Sequence, residues 1–345
     1  MALKSEIFEQ PSVLERLLAS QKENIENIVR KLRQYDIWFL FLAARGTSDH
    51  AGIYAQYLWG ANNQLPMALA TPSLFSIYAK PPNLQNALVV GVSQSGQSPD
   101  IISVVEEGNR RGCPTLAITN TPSSPLAEVA DFVIDIKAGK ETAVAATKTY
   151  TAQLMAIAMF SAIMKQDTAQ WSALARVPAW VQQVLMLDDA IAQSAQRYRY
   201  MDQCVVLGRG YNYATAYEWA LKLKELTYVM ADSYSSADFQ HGPIAVVESG
   251  YPVLAVSPRG AVFDGMLKLI QRLANEYKAE LLVVSNQEEA LQLAQVSIAI
   301  PDDIPEWLTP LVSIVPAQLY CNYLALAKGY DTDAPRGLHK VTETL

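Results

Sequence analysis

The sequence predicts an α/β protein of two domains, each a parallel sheet flanked by helices in a flavodoxin-like three-layer arrangement, related by internal duplication. Three observations carry this. Short apolar runs that stop at Gly or Ser before a helical stretch recur along the chain, the pattern of buried parallel strands. Strands alternate with helices, which puts helices on both faces of each sheet. Gly46 and Gly210 lie 164 positions apart, as do Ser93 and Ser257, each pair in the same strand–turn–helix context. A length of 345 residues suits two such cores better than one.

Taken in order, Glu6 to Arg33 has amphipathic helical spacing, with Leu14, Leu17, Ile25, Ile28 and Leu32 on one side. The apolar run Ile37 to Ala44 reads as a strand ending at Arg45-Gly46-Thr47-Ser48 and a new helix. Ala87 to Val92 is a strand, Ser93 to Ser98 a turn and Pro99 to Arg111 a helix; Pro114 to Thr119 and Asp131 to Ile136 are further strands. In the second half, Cys204 to Leu207 is a short strand followed by a helix through Met230. Pro252 to Val256 is a strand ending in Ser257-Pro258-Arg259-Gly260, and Glu280 to Ser285 and Val296 to Ile300 complete the set. The expected divisions are a helical segment over 1–35, a first domain over 36–165, a helical linker over 166–200, a second domain over 201–330 and a tail over 331–345.

Composition excludes several classes. Half the residues are apolar and 18% charged, the balance of a compact globular protein. A formal charge of −7 offers no basic surface for nucleic acid. Cys113, Cys204 and Cys321 are too few and too widely spaced for a disulfide framework or a CxxC site, and read as small core residues. The first residues lack the apolar stretch of a signal peptide, so a cytoplasmic location is expected. Trp307 to Ala327 is free of charge, but Pro310, Pro316, Gln318 and Asn322 interrupt it, so a buried or subunit-facing helix is expected and no membrane span.

Chemistry concentrates where the halves differ. Ser93-Gln94-Ser95-Gly96-Gln97-Ser98 precedes Pro99, with Ser98 suited to the N-cap and Pro99 to the first helical position. Hydroxyls, small side chains and a helix amino terminus at the carboxyl edge of a parallel sheet make a phosphate cradle. The corresponding second-half turn has Pro258 and Arg259 in place of Gln94 and Ser95, so one sugar-phosphate site per chain is expected. No P-loop is present, and Gly208-Arg209-Gly210 lacks the third glycine of a dinucleotide fingerprint. Glu218, Lys222 and Glu225 fall on one helix face, a pattern that in isolation describes a solvated salt-bridged stripe. His241 and Lys340, taken alone, describe a structural histidine and an exposed tail lysine.

Together these segments carry a resemblance. The turn Ser93–Ser98, the run Ala220-Leu221-Lys222-Leu223-Lys224-Glu225, the triplet His241-Gly242-Pro243 and the tail Asp333-Ala334-Pro335-Arg336 through Lys340 resemble, in this order, the isomerase half of glutamine–fructose-6-phosphate amidotransferase, which consists of two sugar-isomerase (SIS) domains. Arg45-Gly46-Thr47-Ser48-Asp49-His50-Ala51, Ala145-Ala146-Thr147-Lys148 and Lys340-Val341-Thr342-Glu343-Thr344 look more like the stand-alone type II glucosamine-6-phosphate deaminases. Position 2 is Ala, and no glutaminase-sized segment precedes the first domain, so no glutamine-hydrolysing nucleophile is expected.

The resemblance implies roles residue by residue. Ser93, Gln94, Ser95 and Ser98, with Thr47 and Ser48, would hold the phosphate and the near end of the sugar. Glu225 would shuttle a proton between C1 and C2, and His241 would open the pyranose ring of the neighbouring subunit's substrate in a homodimer with shared sites. Lys340 would form a Schiff base with the ketose, Lys222 would support Glu225, and Val144 and Ala145 would line the sugar. Ala146 replaces a serine of the amidotransferase, and His339 stands where that enzyme has a small residue. No metal or other cofactor is implied. The expected reaction converts glucosamine 6-phosphate to fructose 6-phosphate and ammonia. A synthase that takes ammonia from elsewhere, a ketosamine-6-phosphate deglycase and a non-catalytic sugar-phosphate sensor remain open at this point.

Overall fold

The structure, a computed structural model, describes residues 1–340. It opens with two helices, α1 (Ala2–Phe8) and α2 (Gln10–Leu32), where the sequence pattern predicted one. Pro11 accounts for the break: it lacks an N–H and its ring obstructs the carbonyl four residues back, but it suits the first turn of a new helix.

The chain then divides into two compact units, the first formed by residues 9–141, 148–176 and 339–340, the second by 1–8, 142–147 and 177–338. In the first unit α2 is followed by β1 (Phe39–Ala43), α3 (Thr47–Asn63), β2 (Met67–Leu69), α4 (Ser73–Ser76), β3 (Ala87–Ser93), α5 (Pro99–Arg110), β4 (Thr115–Thr119), α6 (Pro125–Val129), β5 (Phe132–Asp135), α7 (Lys148–Lys165) and α8 (Thr168–Leu174). All pairings are parallel, in the order β2-β1-β3-β4-β5. The central strand β3 is buried at every residue, as a strand covered on both faces must be. Phe41, Val89, Val105 and Leu126 belong to one apolar cluster on the sheet.

The second unit contains α1, α9 (Val177–Leu185), α10 (Asp188–Arg197), β6 (Gln203–Gly208), α11 (Tyr213–Thr227), β7 (Met230–Ser235), α12 (Ser236–Phe239), β8 (Pro252–Val256), α13 (Phe263–Asn275), β9 (Glu280–Ser285), α14 (Glu288–Leu291), β10 (Val296–Ala299) and α15 (Thr309–Ala327). Its sheet repeats the parallel order as β7-β6-β8-β9-β10. The offset of 164 relates Phe39 at the start of β1 to Gln203 at the start of β6, and Phe132 at the start of β5 to Val296 at the start of β10.

Two edge strands, β2 and β7, were not read from sequence, and the predicted helix through Met230 ends instead at Thr227, where Tyr228 turns left-handed. Glu306–Ala327 is long and apolar enough to cross a membrane, but 83% of its apolar window is buried inside the chain. It is a core helix. The three cysteines are buried, and burial pushes each thiol upward, which fits the packing role expected of them.

Candidate active site

In the first unit, Ala43 of β1 lies opposite Gly91 of β3, so the turns that follow the two strands leave the sheet side by side. The Arg45 Nε lies 2.7 Å from an oxygen of Asp100, a fully buried carboxylate on the first turn of α5. That pair ties the turn carrying Thr47 and Ser48 to the turn carrying Ser93–Ser98. Ser48 is buried and accepts a 2.9 Å hydrogen bond from Gln153 of α7.

The Ser93–Ser98 turn is fixed from within and from behind. Ser93 Oγ accepts from Gly96 N at 3.0 Å and Ser95 Oγ from Gln97 N at 3.3 Å. A hydroxyl that accepts from its own loop keeps its O–H proton to donate elsewhere. Asn120 N donates to Gln94 O and Leu126 N to Gly96 O, strapping the turn to the segment after β4. Gly96 has φ +65, and a Cβ there would lie 2.0 Å from Ser124 Oγ, so glycine is required on both counts. Ser98 occupies the N-cap position of α5 with extended backbone but makes no side-chain cap bond. The predicted cap is thus only positional, and the hydroxyl is not committed to the helix. Thr47, Ser48, Ser93, Gln94, Ser95 and Ser98 therefore belong to two adjacent, mutually braced turns. Such an array of hydroxyls at a helix amino terminus can bind a phosphoester.

The second unit carries the ionised cluster. The solvated stripe suggested by the spacing alone is overturned: Glu218 and Lys222 of α11 are buried, with 0% and 1% of their surfaces exposed. The Lys222 ammonium lies 3.4 Å from Glu218 Oε1 and 2.5 Å from Glu225 Oε2. Burial on its own pulls its pKa down, but the two carboxylates outweigh it and hold the ammonium well above the ordinary lysine range. Glu225 is the partly open member, with 22% of its side chain exposed. A carboxylate held by an ammonium yet open on one side can exchange a proton with a group placed against it.

Val144 and Ala145 lie in the 142–147 segment of this same unit. The buried Glu6 of α1 holds that segment, accepting from Thr142 Oγ1 at 2.9 Å and from Ala143 N at 3.2 Å. His241, on the turn after α12, is exposed, and its backbone N–H donates to Asp238 O. It is not drawn into the Glu218–Lys222–Glu225 cluster.

Lys340 departs from the exposed tail lysine that its position alone suggested. It lies in the first unit with 25% of its side chain exposed, and its Nζ is 2.7 Å from Glu141 Oε2. Glu141 is fully buried and also accepts from Thr149 N at 3.1 Å and Thr149 Oγ1 at 2.8 Å. Sequence reasoning missed Glu6 and Glu141, whose partners Thr142 and Lys340 are remote in the chain. The tail beyond Lys340, with Val341 to Thr344, lies outside the described residues.

The duplicated turn after β8 is built differently. Arg259 N donates to Asn286 Oδ1 at 2.7 Å, and Ala261 N donates to Glu306 Oε2 at 2.9 Å. A Cβ on Gly260 would lie 2.1 Å from the Glu306 carboxyl carbon. A carboxylate of the chain itself thus sits against the turn that corresponds to the hydroxyl cradle.

Residues 39–163 and 199–328 each match the SIS domain family. The glutamine–fructose-6-phosphate aminotransferase (isomerizing) of Thermococcus kodakarensis is 32% identical over 344 residues, a match covering 97% of this chain and 56% of that protein. The chain therefore spans little more than half the length of the curated relatives it matches. Among solved structures, the C-terminal domain of glucosamine-fructose-6-phosphate aminotransferase from Francisella tularensis superposes with a TM-score of 0.86 at 27% identity, covering 97% of this chain and 98% of that one. Glucosamine-6-phosphate deaminase from Thermotoga maritima shares the fold, with a TM-score of 0.76 at 21% identity and full coverage of both chains. With two parallel sheets of identical strand order, two matched segments and homology along nearly its whole length to the isomerase half of an aminotransferase, the chain belongs to the SIS domain family.

Proposed function

We propose that this chain is a phosphosugar isomerase and deaminase that converts glucosamine 6-phosphate to fructose 6-phosphate and ammonia, in the cytoplasm, as a homodimer. The observation that carries the reading is the Lys222 ammonium clamped by buried Glu218 and partly open Glu225. A sensor needs the hydroxyl cradle alone; a buried ion cluster with one accessible carboxylate is costly and serves proton transfer. In this reading the Ser93–Ser98 and Thr47–Ser48 turns bind the phosphoester, and His241 opens the ring. Glu225 takes the C2 proton and returns it at C1, which turns the C2 amine into an imine. Water then adds to C2 and ammonia leaves.

A second reading is favoured by the names of the relatives at 32–33% identity, which are aminotransferases. In it the same residues run from fructose 6-phosphate and ammonia toward the amino sugar, with Lys340 condensing with the ketose. Incubation of the purified chain with glucosamine 6-phosphate, reading free ammonia and ketose, tests the first. Incubation with fructose 6-phosphate and ammonium, reading amino sugar, tests the second. Ammonia release is expected. Net synthesis with no measurable release would favour the aminotransferase reading, release of an amino acid from a ketosamine 6-phosphate would reveal a deglycase, and binding without turnover a sensor.

A further inference from the structure

We infer that Glu141 is the positioning residue for Lys340, holding the amine that condenses with the ketose; this rests on the Schiff-base role proposed for Lys340. The geometry is specific. The Glu141 side chain is fully buried, and its position is set by both the backbone N–H and the hydroxyl of Thr149, at the start of α7. Burying a carboxylate costs several kcal/mol unless an opposite charge and hydrogen bonds compensate it; Thr149 supplies the hydrogen bonds and Lys340 the charge. A long, flexible side chain in a chain-terminal segment is thereby fixed at one point, 2.7 Å from a rigid acceptor. Neighbouring Lys148 reinforces this end of α7, buried with its Nζ 2.6 Å from Glu9 Oε2 and donating to Lys140 O at 2.7 Å.

The chemistry suits a carboxylate there. The Lys340 ammonium first sheds a proton; the neutral amine then forms the C–N bond to the ketose carbonyl carbon, the carbonyl oxygen leaves as water carrying that proton and one amine proton, and the product is a protonated imine. One positive charge enters the step and one remains at its end. Glu141 therefore faces a cation before and after the step and needs no rearrangement between them, so its contribution is to hold the reacting nitrogen in place.

The test is reductive trapping. Wild-type protein is mixed with fructose 6-phosphate and borohydride, and the adduct on Lys340 is quantified by mass spectrometry, alongside kcat and KM. Glu141→Gln keeps an acceptor for Thr149 N–H and removes the charge. It is expected to lower trapping and kcat by about tenfold or more, with KM within about twofold, because the loss falls on reaction geometry rather than on phosphoester binding. A contact that merely anchors the tail would lower the melting temperature and leave trapping intact; wild-type trapping in Glu141→Gln overturns the inference. Absence of an adduct in the wild type would instead overturn the Schiff-base role of Lys340 and with it the inference. Should Glu141→Gln fail to fold, Thr149→Val retains the charge and removes only the hydroxyl that orients it. A loss of trapping of about threefold is then expected, and an unchanged rate overturns the assignment.

Discussion

The two halves of the chain share strand order, and equivalent positions 164 apart have been given different work. On α3, Tyr54, Leu58 and Ala61 stand where α11 has Glu218, Lys222 and Glu225. Tyr54 and Leu58 are fully buried, so the face that is apolar in one half is ionised in the other. The turns diverge in the opposite sense. The bracing residues persist, with Arg45 and Asp100 matched by Arg209 and Asp264, and Gly46 and Gly210 both at positive φ. The Gln94 amide and the Ser95 hydroxyl give way to Pro258 and Arg259, and the second turn meets Glu306. Duplication supplied two equal frames. The hydroxyl-rich turn lies in one frame and the buried ion cluster in the other.

The sharpest way to break that division is Glu225→Gln. Turnover should fall by about 10²–10⁴, the range for a lost acid–base group, while phosphoester binding measured by calorimetry stays near wild type. Lys222→Ala probes the same frame through stability. It leaves the Glu218 carboxylate buried without its cation and should cost about 3–5 kcal/mol in denaturant unfolding. Glu218→Gln combined with Lys222→Met should recover much of that loss, as the apolar counterpart face on α3 suggests.

Next in size is the pair of glycines. Gly96→Ala forces a side chain into positive φ and into Ser124, and should cost about 1–3 kcal/mol and abolish sugar-phosphate binding. Gly260→Ala displaces the Glu306 side chain instead and should leave that binding unchanged. Equal losses of binding in both variants would contradict the division of roles. The smallest effect is expected from Glu306→Ala: the Ala261 N–H is exposed, so water can replace its acceptor, and the loss should be about 0.5–1 kcal/mol with unaltered turnover.

Legibility followed the range of the interactions. Buried central strands such as β3, β8 and β9 were readable because continuous apolar runs bounded by turn residues have few other meanings. The edge strands β2 and β7 were not, because an edge strand is short or mixed in character; β7 contains Asp232, Ser233 and Ser235. The hydroxyl turn was legible as a local composition. The burial of Glu218 and Lys222 was invisible in their spacing, which is the same for an exposed stripe. Glu141 and Glu6 gave no signal at all, since the Lys340 partner of the one and the Thr142 partner of the other lie 199 and 136 residues away.

The contact between Ala261 and Glu306 bears on stoichiometry. A carboxylate attached to the same backbone competes at an effective concentration in the millimolar range or above, and it is never diluted. A dissolved sugar phosphate seeking the second turn would meet a rival that is permanently in attendance. Titration should therefore saturate at a single ligand per polypeptide while the metabolite stays below that effective concentration.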